Sequence, residues 1–192
     1  KSELLNTHYF HIVFTVPDLL NSLIFSNKKQ LYNLLFKCAS ETLSELAMDK
    51  KYLGAQIGIT AVLHTWGQNL SFHPHIHCIV PGGGLLPSEK TFRHSKKKFF
   101  IPVKVLSRKF RGKFMHNLCL LLEKKDIILP NDTDFKTLKN KLYSKEWVVY
   151  CKPPFKTPEN VIEYLGRYTH KIAVTNSRIV TVKDNRVYFK WR

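Results

Sequence analysis

Gln68-Asn69-Leu70-Ser71-Phe72-His73-Pro74-His75-Ile76-His77-Cys78-Ile79-Val80-Pro81-Gly82-Gly83-Gly84 puts three histidines into five residues and follows them with an apolar run and three glycines. Residues 76–80 are β-branched or small and apolar, with proline on either side, which predicts a short strand running into a glycine turn. Side chains alternate across a strand, so His75 and His77 share one face while Ile76, Cys78 and Val80 share the other. Two imidazoles one strand repeat apart can converge on a single cation. Neutral imidazole suits Zn, Cu, Ni, Fe or Mn better than Mg or Ca, and one more ligand would leave positions open for substrate oxygens. The same pattern also fits a plain polar strand face, so the surrounding sequence has to separate the two.

Upstream, residues 54–66 alternate: Ala55, Ile57, Ile59, Ala61 and Leu63 fall on one face, and Gln56, Thr60, Val62 and His64 on the other. A turn at Gly67-Gln68-Asn69 would fold this strand onto the histidine strand as a hairpin, bringing His64 and Gln68 near His75 and His77. The amide oxygen of Gln68 can serve as a neutral donor there. Gln68 equally suits a simple turn position.

Further back, residues 8–16 are rich in β-branched and aromatic side chains and stop at Pro17, which predicts another strand. Leucines and other apolar residues then recur at three- and four-residue spacing over residues 17–50, with Ser26-Asn27-Lys28-Lys29 as a break between two helices. These helices would pack on the sheet.

Downstream, Gly82-Gly83-Gly84 most simply closes a hairpin, since glycine accepts positive φ. The missing Cβ atoms would also let a phosphate backbone come close. Residues 90–113 interleave basic and aromatic side chains. Lys96, Lys97, Lys98, Arg108 and Arg111 are candidate phosphate contacts, while Phe99, Phe100, Phe110 and Phe114 read as core. A helix is expected over residues 103–123, a polar loop over 130–134 and a strand over 147–151 that Pro153-Pro154 breaks.

Thr157-Pro158-Glu159 then supplies a capping residue, a first-position proline and a first-turn acid, so a helix should run over residues 158–171. Tyr164 and Tyr168 lie one turn apart on one face of it. Gly166 would cost about 1 kcal/mol there relative to alanine, which suggests the close approach of another backbone. Core packing is the simple explanation for two tyrosines at this spacing. Residues 179–191 alternate as a closing hairpin with Asp184-Asn185 as its turn.

The 192 residues suffice for one domain with a sizeable core. With 31 Lys plus Arg against 14 Asp plus Glu, the net charge of +17 calls for a polyanionic partner. No apolar run approaches the ~20 residues that span a membrane, which puts nucleic acid ahead of acidic lipid. Cys38, Cys78, Cys119 and Cys151 form no Cys-x-x-Cys pair, which argues against a zinc cage or a disulfide framework and fits a reducing cytoplasm.

The histidine stretch, Gln68 through Gly84, resembles the HUH endonucleases, named for two metal-binding histidines around a hydrophobic residue. More narrowly it resembles the two-tyrosine rolling-circle insertion-sequence transposases, and Tyr164-Leu165-Gly166-Arg167-Tyr168-Thr169-His170-Lys171 resembles their paired-tyrosine motif. The likeness extends over residues 9–178 and is specific in these two motifs. It implies an α+β fold: a central antiparallel sheet flanked by helices, related to the split βαβ arrangement of ferredoxin- and RRM-like domains. It implies nicking and rejoining of single-stranded DNA, at transposon ends and targets, through a 5′-phosphotyrosine on Tyr164 or Tyr168.

The resemblance also implies a divalent Mg or Mn ion at His75, His77 and a third ligand just upstream, Gln68 with His73 as its competitor, and Lys171, Arg167 and His170 stabilising phosphate charge or assisting proton transfer. The whole chain, residues 1–192, would be a single nuclease domain acting in a bacterial cytoplasm at the nucleoid, as a monomer in the first instance. Lys1 is not an initiator and the final strand stops abruptly at Arg192. The expectation is therefore a fragment lacking an N-terminal zinc ribbon and a C-terminal segment. Two other functions share these features: a replication initiator or relaxase with the same chemistry, and a non-catalytic nucleic-acid-binding domain with structural histidines.

Overall fold

The computed structural model of the chain describes residues 4–67, 71–88, 91–96, 101–131, 133–155, 160–161, 166 and 178–190. Its centre is a four-stranded sheet of β1 (Tyr9–Thr15), β2 (Thr60–Trp66), β3 (Phe72–Pro81) and β6 (Val149–Phe155), in the order β2-β3-β1-β6. Every neighbouring pair is antiparallel. β1 and β2 therefore run the same way with β3 inserted between them, the split βαβ arrangement that was expected.

Both long crossovers are helical. A 3-10 turn (Asp18–Leu20), α1 (Asn21–Ser26) and α2 (Lys28–Met48) join β1 to β2, and α3 (Val103–Glu123) and α4 (Phe135–Ser144) precede β6. The break between α1 and α2 falls at Asn27, as the sequence suggests. Its buried side chain donates to the Leu23 and Ile128 carbonyls and accepts from the Ile128 amide, tying the break to the segment after α3.

Alternation gives the sheet two unlike faces. Phe10, Ile12, Phe14, Ile76, Cys78, Val80 and Val149 point to the layer formed by α2 and α3, where Leu35, Leu43, Leu106, Phe110 and Phe114 complete the core. Phe110 and Phe114 are thus core residues, as their spacing predicts. The other face carries Tyr9, His11, Val13 and Thr15 from β1 opposite Pro81, Ile79, His77 and His75 from β3.

Several sequence expectations need correcting. β3 is ten residues long and runs through Pro74 and Pro81 rather than stopping at them. Pro74 lies beyond the last β1 partner, His75, and next to a register shift in the β2–β3 ladder, so its missing N–H leaves no ladder bond unmade. β6 likewise continues through Pro153-Pro154, on an edge strand at a register shift against β1.

Nor do the glycines close a hairpin. Gly83 and Gly84 open β4 (Gly83–Leu85), which pairs with β5 (Phe92–His94). A Cβ on Gly82 would meet the His8 ring, one on Gly83 the Arg93 carbonyl, and one on Gly84 the Gln56 carbonyl. Glycine is required here by close approach of the chain to itself. β2 begins at Thr60, later than the expected start at residue 54, and only Gln56 makes a bridge before it.

α4 is absent from the expectations, although Asp134 caps it by accepting from the Lys136 and Thr137 amides. The closing hairpin forms as β7 (Ile179–Lys183) and β8 (Arg186–Phe189), with Asp184 and Asn185 at φ 51° and 59°, the left-handed pair a type I′ turn needs. Of the expected helix over residues 158–171, Asn160, Val161 and Gly166 are described, and all are helical. Among the described residues none lies within 4 Å of a Cβ built on Gly166, so none of them makes the suggested close backbone contact.

Candidate metal centre

The sheet ladder builds the site directly. His64 on β2 pairs with His75 on β3, and Val62 pairs with His77 one repeat further along, so all three imidazoles rise from one face. One nitrogen from each of His64, His75 and His77 lies within 4.8 Å of the others. Their ring centroids are 4.7 Å (His64–His77), 4.9 Å (His75–His77) and 5.4 Å (His64–His75) apart. Around one ion with imidazole bonds of about 2.1 Å, two nitrogens can be at most about 4.2 Å apart, so the rings need only a small closing movement to share it.

The nitrogens are prepared for ligation. His75 Nδ1 lies 2.6 Å from the His73 carbonyl oxygen, which can only accept, so Nδ1 carries the proton and Nε2 is left bare. Burial, first of all, pushes the His75 imidazole down to about 4; the His73 carbonyl opposes this, and the His73 and His64 rings add to it. The ring is therefore neutral at physiological pH, the state in which imidazole binds metal. His64 and His77 are buried, and Trp66 lies nearly parallel to His64 with ring centres 5.8 Å apart. An all-imidazole donor set fits a transition ion better than Mg.

Of the expected ligands, His75 and His77 are brought together and Gln68 lies outside the described residues. His73 does not join them; its backbone, not its ring, serves the site. His64 was expected beside the pair but not as a donor. The available signal was its even spacing with Val62 in β2, which puts it on the polar face of the hairpin.

The remaining candidates are spread out. Tyr164, Tyr168, Lys171, Arg167, His170, Lys97 and Lys98 lie outside the described residues. Lys96 is exposed just after β5. Arg108 and Arg111 lie on α3, in the layer on the far side of the sheet from the histidines. Arg108 is exposed, whereas the Arg111 guanidinium donates to the Tyr143 and Lys145 carbonyls at the end of α4. Lys109 and Lys113 of the same basic stretch pair with carboxylates on α2, Lys109 with Glu45 and Lys113 with Glu41 and Glu45.

The histidine face also receives the next part of the chain. Val161, 1% exposed, clusters with Tyr9 and Ile79, which point the same way as His75 and His77. No helix among the described residues is long and apolar enough to cross a membrane.

The antiparallel sheet of this α+β fold thus carries, on one face, three convergent imidazoles that could hold a metal ion. A family profile described as "Putative transposase" matches residues 58–192. "Putative transposase y4qJ" of Sinorhizobium fredii (strain NBRC 101917 / NGR234) is 45% identical over 199 residues, covering 100% of this chain and 50% of that protein. "Transposase for insertion sequence element IS801" of Pseudomonas savastanoi pv. phaseolicola is 29% identical over 182 residues, covering 88% of this chain and 40% of that protein. The chain belongs to this transposase family, the one its histidine and tyrosine motifs resemble. It spans half or less of the length of these curated relatives. No solved structure matches it.

Proposed function

We propose that this chain is the catalytic domain of a transposase that nicks and rejoins single-stranded DNA through a tyrosine, as part of a longer protein. The observation that carries the reading is the convergence of His64, His75 and His77 on the sheet face where Val161, three residues before Tyr164, is buried. The chain three residues before Tyr164 thus packs on that face. The net charge of +17 supplies the attraction for a nucleic-acid strand.

A divalent ion bound by the three imidazoles would act as a Lewis acid on the scissile phosphate, and the donor set favours Mn over Mg. Tyr164 or Tyr168 supplies the nucleophile. Its phenol, with an ordinary pKa near ~10, needs an activated phosphate to react at neutral pH. The tyrosine oxygen bonds to phosphorus, the bond from phosphorus to the 3′ oxygen breaks, and that oxygen leaves as a 3′-OH. One phosphodiester replaces another, so no ATP is consumed and a second 3′-OH can reverse the step. Two tyrosines let two such linkages be held in succession.

Lys171, Arg167 and His170, beside the tyrosines in sequence, are assigned to phosphate charge and proton transfer. Lys96, Lys97 and Lys98 are assigned to contacts with the DNA strand. Arg108 and Arg111 on the helical layer are assigned to flanking DNA. The reaction belongs in the cytoplasm, at the DNA.

The experiment is incubation of single-stranded DNA carrying the element's own terminus with Mn, followed by a denaturing gel, for wild type, Tyr164→Phe, Tyr168→Phe and the double variant. A metal-dependent protein–DNA adduct that the double variant lacks is expected. Adduct formation by the double variant, or tight DNA binding that Mn never converts to an adduct, sinks the proposal and favours a non-catalytic DNA-binding domain.

A further inference from the structure

A fourth imidazole is tied to the cluster without being part of it. His11 on β1 is 1% exposed, and its Nε2 lies 2.8 Å from His77 Nδ1. The two ring planes are inclined by only 4°, with centroids 5.1 Å apart. Stacked planes sit no closer than about 3.5 Å. A 2.8 Å nitrogen pair between parallel rings therefore means that they lie edge to edge in one plane, joined by an in-plane hydrogen bond. In the β1–β3 register, Val13 faces His77 directly and His11 faces Ile79, so His11 reaches its partner diagonally.

One proton sits between the two nitrogens, and its owner matters. If His11 Nε2 donated, a neutral His77 would carry its own proton on Nε2, the one ring nitrogen left to meet an ion. If His77 Nδ1 donates, its Nε2 is bare. His75 already has the second arrangement, imposed by the His73 carbonyl.

We propose that His11 is a positioning residue for the metal centre: its Nε2 accepts the His77 Nδ1–H and so sets the tautomer and the orientation of that ligand. The proposal rests on the metal reading above. An acceptor on the far nitrogen holds the ring in one rotation and raises the basicity of the ligating nitrogen, the role carboxylates and carbonyls play behind metal-bound histidines.

The test has two parts. Imidazole ¹⁵N NMR of the metal-free wild-type protein should find His77 protonated at Nδ1; a proton at Nε2 overturns the proposal, and this readout needs neither metal nor activity. Calorimetric titration with Mn is then run on wild type, His11→Ala and His11→Gln, each checked by thermal melting. His11→Ala should bind Mn about 10- to 100-fold more weakly. His11→Gln, whose amide oxygen can accept the same N–H, should recover most of the loss.

Unchanged affinity in a folded His11→Ala protein, or equal losses in both variants, overturns the proposal. If His11→Ala does not fold, the tautomer and the glutamine variant still decide it. Wild-type protein that takes up no Mn overturns the metal reading together with this one, whereas failure of the His11 role alone leaves wild-type binding intact.

Discussion

His64 stands directly opposite His75 in the β2–β3 ladder, so the third imidazole of the cluster comes from the hairpin partner and not from the turn between the strands. Replacing His64 with alanine should therefore weaken Mn binding at least as much as a lost supporting contact does, by about 100-fold or more. Calorimetry on the folded variant measures this. A His64→Ala protein that binds Mn as wild type does would return the third position to Gln68 or another group.

The histidine cluster also sets an acid limit for the metal-free protein. The pKa of His75 is lowered from 6.5 to about 4, chiefly by burial, so between these values the unfolded chain takes up a proton that the folded one refuses. This contribution is fully present above the unfolded pKa and is lost as pH falls from about 6.5 towards 4. Urea midpoints at pH 7.5 and pH 5 should show a larger drop for wild type than for His75→Asn. Equal drops would falsify the assignment.

Two glycines should respond to alanine with opposite signs. Gly112 lies inside α3 with none of the described residues within 4 Å of an added Cβ, so Gly112→Ala should stabilise the protein by about 0.5–1 kcal/mol. Gly84 has the Gln56 backbone in that position, and Gly84→Ala should cost about 1–3 kcal/mol. Denaturant melts of the two variants give the comparison.

Phe110 is fully buried, with its ring 4.9 Å from Phe14 and 5.6 Å from Trp147. Phe110→Ala should cost about 3–5 kcal/mol. It lies on the helical side of the sheet, so the fraction that stays folded should bind Mn with wild-type affinity. A fall in affinity per folded molecule would mean that the two sides of the sheet are coupled.

Much of this was legible because period and face are local properties. The alternation of His75, Ile76, His77 and Cys78 assigns each side chain to a layer before any partner is known. The heptad-like leucines of α2 and the Phe110–Phe114 spacing of α3 do the same for the helices. What escaped depends on tertiary context. Pro74 and Pro153-Pro154 look like strand breakers until the ladder shows that no partner needed their N–H.

The glycine triplet reads as a turn because its reason lies in residues far along the chain, His8, Arg93 and Gln56. α4 did carry a signal, Asp134 before Phe135, Leu138 and Leu142, but it is short and follows a loop. His64 lacked only the ladder register to become a candidate ligand. His11 gave no signal at all: a lone histidine in a β-branched strand acquires meaning only when its neighbour across the sheet is known.

The strand order β2-β3-β1-β6 places His75 and His77 on an interior strand and His64 on the rim. Amide exchange should be slowest around the first two and faster along β2, which among the described residues has a neighbouring strand on one side only. Opening of that rim strand would remove one donor and leave the other two in place. Loading with an ion would then act as a clasp, slowing exchange in β2 far more than in β3.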